Sequence, residues 1–199
     1  MKSENGRSMV EMLGVLAIIG VLSVGAIAGY SKAMMKYKLN QHAQAVNMLI
    51  NNVLQLKGQL PLLSNGYMHQ EPLLYKLNLL PDGIKYVRND ELRDMWFNTY
   101  TRVYTYHTGH GGIIFYNPTE EVCRNIALAA KENAANIHML VNYKDSKDFG
   151  YKGFGYWMGD AYCTKQSNCL RDLDLNKTEK LCNDCNEENC QLYVYYWVK

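Results

Sequence analysis

The chain shows little of what a catalytic or nucleic-acid-binding protein displays. Its 199 residues carry 21 Lys+Arg against 19 Asp+Glu, a formal net charge of +2. So small an excess leaves no broad electrostatic footprint for a polyanion, and no nucleic acid is expected as a specific ligand. There is no G-x-S-x-G, no H-E-x-x-H, no P-loop and no G-x-G-x-x-G. The carboxylates are scattered, so no acid–base pair can be nominated, and neither enzymatic activity nor a cofactor is expected. Phenylalanine is scarce, 4 residues against 16 Tyr, which suits extended, half-wet surfaces better than a large oily core. With 48% hydrophobic and only 20% charged residues, the chain is neither disordered nor fibrous. Its mean hydropathy of −0.30 excludes a polytopic membrane protein. The length allows one domain plus an appendage.

One absence is local. From Met12 to Ser31 no residue is charged: MLGVLAIIGVLSVGAIAGYS. A helix of this length is about 30 Å long, one hydrocarbon core. A cleavable secretory signal has a shorter apolar run followed by a small-x-small cleavage site. Here the run passes directly into an amphipathic stretch. Residues 33–57 keep a helical period, with Met35, Leu39, Ala43, Val46, Ile50 and Val53 at three- and four-residue steps. Gly58 and Pro61 end it. The spacing thus predicts a helix from about Ser8 to Lys57, roughly 75 Å long, apolar all round in its first half and amphipathic in its second.

The residues before the apolar run are MKSENG, then RSMVEMLGVLAIIG. Glu11 sits at the edge of the run, where a lone carboxylate in lipid is costly and calls for a partner. Gly6 stands five residues before it. Together with Ala17–Gly20 (AIIG), this resembles the N-terminal signature of type IV prepilins and type II secretion pseudopilins. The resemblance covers residues 6 to about 30. It implies that residues 1–6 are a leader, cut after Gly6 by a prepilin peptidase. Arg7 then becomes the new, N-methylated terminus and Glu11 the fifth residue. Arg7 stands where that family commonly has an apolar residue. The resemblance further implies a precursor held in the inner membrane by residues 12–31, with the head on the periplasmic side. Its partners would be copies of itself in a helical filament and a pilus or type II secretion assembly machinery. In such a filament Glu11 of an incoming subunit can neutralise the α-amino group of its neighbour, a buried pair that sets register more than it stabilises.

Charge alone argues for the opposite orientation. Lys2 and Arg7 precede the span, offset by Glu4 and Glu11, whereas Lys32, Lys36 and Lys38 follow it. A positive-inside count would leave the C-terminal part in the cytoplasm. Six cysteines in a small domain suit an oxidising compartment instead, in agreement with the resemblance.

Residues 61–199 read as a globular head. Pro72 to Leu80 suits a short helix, stopped by the turn Pro81-Asp82-Gly83. The run LLPDGIKY followed by Trp96-Phe97-Asn98 resembles type IVb pilins, which have a Leu-Pro turn and a Trp-Gly-Gly before the first strand. Tyr100–His107 and Gly112–Tyr116, joined by T-G-H-G, read as a β-hairpin. Asn117-Pro118-Thr119-Glu120 reads as a helix start with Asn at the cap, for a helix running to about Asn133. Strands are expected at Ile137–Tyr143 and Tyr193–Val198. The predicted class is α+β: a long N-terminal helix packed on a small antiparallel sheet, with a cysteine-rich region over 163–190.

Several patterns bear on metals. His107 and His110 have no third ligand near them in sequence, so they read as solvent-facing residues. Cys182 and Cys185 with Cys190 and either Cys163 or Cys169 could make a four-thiolate zinc site. In an oxidising compartment the disulfide reading of Cys123, Cys163, Cys169, Cys182, Cys185 and Cys190 prevails, with fifteen possible pairings. The type IVb resemblance implies that Cys123, on its Pro-led helix, is bonded to the C-terminal region. Asp172-x-Asp174-x-Asn176 opens like a calcium loop, but Lys177 and Asn183 stand where Gly and Glu are required. No metal is therefore expected. The composite reading is a non-catalytic filament subunit, with a pseudopilin or a non-polymerising membrane-anchored domain as alternatives.

Overall fold

The structure, a computed structural model, describes residues 9–144, 156–183, 185 and 190–198. Gly6 and Arg7 lie outside the described residues, as does most of the Gly-rich stretch 150–159. Helix α1 runs Met9–Leu56 and closes in a 3-10 turn, Lys57–Gln59. The chain divides into two compact units, residues 1–38 and 39–199. In the first, every described side chain from Glu11 to Ala33 is exposed.

In the second unit, β1 (Tyr67–His69) leads into α2 (Glu71–Lys76). Two short strands follow, β2 (Ile84–Val87) and β3 (Glu91–Asp94). The hairpin β4 (Tyr100–Tyr106) and β5 (His110–Tyr116) precedes α3 (Glu120–Glu132). Then come β6 (Met139–Lys144), β7 (Tyr156–Met158), α4 (Leu175–Cys182) and β8 (Cys190–Trp197). The sheet order is β2-β3-β4-β5-β8-β6-β7, with β1 also paired to β4, and every strand pair is antiparallel. The class is α+β: a long N-terminal helix packed on an antiparallel sheet, with disulfides in the C-terminal region.

Strand β8 is central because its sequence alternates cleanly. Leu192, Val194 and Tyr196 are buried, while Gln191, Tyr193, Tyr195 and Trp197 are half-buried on the other face. That period of two lets it pair along its length with both β5 and β6. One face of the sheet meets Ala45, Val46, Leu49, Ile50 and Val53 of α1 and Val122, Ile126, Ala127 and Ala130 of α3 in a single core. The two helices are laced by asparagines. Asn125 Nδ2 donates to the Leu39 carbonyl (2.9 Å), Asn133 Nδ2 to Asn47 Oδ1 (2.9 Å), and Asn47 Nδ2 to Glu132 (2.6 Å).

Several local expectations are corrected. Residues 62–98 hold three short strands, which lack the length to show a period of two. Helix α2 is shorter than expected, ending at Lys76, with Asn78 in the left-handed region (φ 54°). Helix α3 is capped by Thr119, whose hydroxyl accepts from Val122 N, and not by Asn117. Asn117 has φ 52° and donates its N–H to the Cys190 carbonyl, so it ties the end of β5 to the start of β8. The cysteine-rich region contains a helix, α4, whose cap is Asp174.

The Pro81-Asp82-Gly83 turn packs under Trp96. Gly83 has φ +84°, and a Cβ there would fall 1.9 Å from Trp96 Cη2. Asp94 Oδ1 accepts from the N–H groups of Trp96 (2.9 Å) and Phe97 (2.6 Å), which fixes the bend that carries both rings. Both rings stand edge-on to His42 of α1, at 6.5 and 5.4 Å between centroids. Gly83→Ala adds a clash to a backbone conformation that L side chains avoid. It is expected to destabilise the head by roughly 1–3 kcal/mol, read as a lowered melting temperature in detergent.

Candidate functional site

The first candidate is the exposed half of α1. Among the described residues this is the one helix long and apolar enough to cross a membrane. Leu13, Leu16, Ile18, Val21, Leu22, Val24 and Ile27 each expose more than half of their surface. An apolar surface of this extent marks a contact with lipid or with other chains. Glu11, in the first turn of α1, is exposed and has no hydrogen-bond or ion-pair partner among the described residues. It is the only carboxylate between Met9 and Gln70.

The second candidate is the cysteine cluster. The structure joins Cys123 to Cys182, Cys163 to Cys169 and Cys185 to Cys190. The first bridge ties α3 to the end of α4 across a separation of 59 residues. The other two close short local loops. Cys123, Cys185 and Cys190 place their sulfurs within 4.8 Å of one another, so two bridges are stacked in one buried spot. Asn142 of β6 packs against the second of these, Cys185–Cys190. Its Nδ2 donates to the Leu181 carbonyl (2.6 Å) and lies 3.5 Å from Cys185 Sγ, and its Oδ1 lies 3.3 Å from Cys190 Sγ. All six cysteines are bonded in pairs, which leaves no thiolate for a zinc site.

The calcium-like run is occupied by a cation of the chain itself. Asp174 Oδ1 caps α4 by accepting from Lys177 N (2.8 Å). Lys177 Nζ donates to the Asp172 carbonyl (2.8 Å) and lies 3.7 Å from Asp174 Oδ2. The Asp174 carboxylate thus serves a helix cap and an ammonium group, with the Asp172 carbonyl as the ammonium's second acceptor.

The two histidines of the hairpin have separate surroundings. His107 Nδ1 meets the backbone of Gly66 at 3.1 Å. His110 lies against Trp197, with ring centroids 3.8 Å apart, and faces His138 at 6.4 Å. Burial lowers the pKa of both His110 and His138. His138 enters from the approach to β6, so no local spacing could have announced it.

Two buried titratable groups carry no motif. Glu71 has no exposed surface. Its Oε1 accepts from Val103 N (2.6 Å), while Oε2 lies 3.4 Å from His69 Nδ1. Beside it, Gln70 Nε2 donates to Thr105 Oγ1 (2.8 Å), and the Thr105 hydroxyl donates to the Pro61 carbonyl (2.8 Å). Burial pushes Glu71 up to about 8, and burial also lowers His69. Near neutral pH both groups are thus mainly uncharged, and the contact is not an ion pair. His42 is pushed down to about 4 by burial, against a smaller opposing pull from Asp94.

These shifts act on stability in opposite directions. The folded chain holds the Glu71 proton more tightly than the unfolded chain, whose carboxyl titrates near 4.5, so stability falls as the pH rises from about 4.5 to about 8. His42 is harder to protonate when folded than its ordinary value of 6.5, so stability falls as the pH drops from about 6.5 to about 4. Glu71→Gln keeps the acceptor for Val103 N and removes the first slope. Melting curves are expected to show the variant gaining on the parent at pH 8 and losing that gain near pH 4.5. The bridges should differ in a second set of melts. By loop-closure entropy, replacing Cys123 and Cys182 with serine is expected to cost about 4 kcal/mol, against about 2 kcal/mol for the Cys163/Cys169 pair.

Compared with known proteins, the chain matches no family model and no curated protein.

Proposed function

We propose that the chain is a structural subunit of a type IV pilus-like filament. In this reading the precursor is cut after Gly6 and assembled through the apolar half of α1. The observation that carries the proposal is the conjunction of three features. They are an uncharged run of twenty residues exposed along its whole length, a single carboxylate at its edge, and a glycine five residues upstream of that carboxylate. An ordinary lipid anchor has no use for the carboxylate. A filament does, because cutting after Gly6 creates an α-amino group that Glu11 of the next subunit can neutralise. Packing of apolar helices against one another then replaces lipid contact.

The disulfide-paired cysteines support a head outside the cytoplasm, in the periplasm and then on the cell surface. The head would present its Tyr-rich sheet and cysteine region to the exterior of the fibre. It would serve adhesion, motility, DNA uptake or secretion. A pseudopilin of a type II secretion system uses the same chemistry in a short periplasmic fibre.

N-terminal peptide mass spectrometry on envelope and sheared surface fractions tests the reading. The expected mature chain begins at Arg7, with or without one added methyl, and is present in the sheared fraction. Recovery only in the envelope favours the pseudopilin. A chain retaining Met1 to Gly6 in cells with an active prepilin peptidase overturns both and leaves an anchored domain. Glu11→Ala is expected to be cut normally yet yield at least about tenfold less sheared fibre, corresponding to about 1.4 kcal/mol per assembly step.

A further inference from the structure

The segment just beyond the uncharged run has a chemistry of its own. Lys32, Lys36 and Lys38 are all exposed. None has a hydrogen-bond or ion-pair partner among the described residues. No Asp or Glu occurs anywhere from Met12 to Gln70, so α1 supplies no counter-charge of its own past Glu11. Tyr30 and Tyr37, 67% and 55% exposed, alternate with the lysines.

The dimensions match a membrane face. If Met12–Ser31 fills the roughly 30 Å hydrocarbon core, Lys32 falls at its edge. Lys38 then lies about 9 Å further along the axis, within or just beyond a headgroup layer some 5–8 Å thick. At about 100° per residue Lys32 and Lys36 share one side of the helix and Lys38 points away from both, so the charge surrounds the axis. Lysine stems reach along apolar surface while their ammonium groups stay in the polar layer, and tyrosine rings favour the same depth.

Resting on the membrane-anchored reading above, we propose that Lys32–Lys38 is a headgroup-binding collar that gathers anionic phospholipid around the anchored subunit. The occupant is an anionic phospholipid because the collar carries three uncompensated positive charges and a zwitterionic headgroup offers no net charge to balance them. The interaction is with the phosphodiester in its negatively charged lipid, held by ammonium groups, with the tyrosine hydroxyls at the same level. This gives the three lysines a role on the side of the membrane that a positive-inside count disfavours. Their charge is met by lipid on that face instead of holding the segment in the cytoplasm.

The test uses the full chain reconstituted in phosphatidylcholine vesicles doped with spin-labelled phosphatidylglycerol or spin-labelled phosphatidylcholine. At low salt the relative association constant is expected to favour phosphatidylglycerol at least about threefold, and to approach one in 1 M salt, where screening acts within about 3 Å. The triple variant Lys32→Gln/Lys36→Gln/Lys38→Gln is expected to lose the preference. Lys57→Gln, on the 3-10 turn that closes α1, keeps it. A parent chain with no preference, or a triple variant that retains it, overturns the collar while leaving the anchor intact. A parent chain that fails to float with vesicles overturns the anchored reading itself and the collar with it. Unchanged circular dichroism and disulfide mapping of the triple variant exclude misfolding as the cause of a loss.

Discussion

The first half of α1 cannot be left in water, yet its described side chains from Glu11 to Ala33 are all exposed. Each apolar side chain from Met12 to Ile27 adds to a surface that contact with lipid or with other chains must remove. That requirement explains the division of the molecule. The head closes its own core with the second half of the same helix, where Ala45, Val46, Leu49, Ile50 and Val53 are buried. The first half is left to be completed from outside the chain. Glu11 is the one charged group described in that half, and a lone carboxylate at such a place gains where a positive charge lies beside it.

The head meets a different demand. Its sheet joins strands of three to eight residues, and the described stretch between β7 and β8 holds two 3-10 turns and the short helix α4. Two disulfides stacked near Asn142 fasten α3, α4 and the start of β8 at one point, and Asn117 adds a backbone bond to Cys190 on the same strand. Covalent closure therefore stands in for the apolar area that this part of the chain lacks. The Pro81-Asp82-Gly83 turn, Trp96, Phe97 and His42 form a second fastening on the packed helix segment, made of rings and one aspartate.

What could be read from the residues followed their periodicity. The long helix, α3 and β8 were legible from repeating patterns, and the β4–β5 hairpin from its β-forming residues around the T-G-H-G turn. Strands β1, β2 and β3 were not, since three or four residues cannot show a period of two. Asn98, with φ 55°, lies at a position where the type IVb pattern has glycine; an asparagine tolerates that conformation, but the letter alone does not announce it. The pairing of Cys123 with Cys182 was open among fifteen arrangements, because partners are chosen by tertiary approach. Glu71 and His42 left no trace in the sequence at all. Each is a lone titratable residue in an unremarkable context, and only the packing of distant segments makes it unusual.

Strand β8 holds the middle of the sheet, yet it is the last of the described strands to leave the ribosome. Until it arrives, β5 and β6 have no common partner, although α3 can already be bonded through Cys123 to Cys182 of α4. The two halves of the sheet therefore join late, through pairings that span much of the sequence.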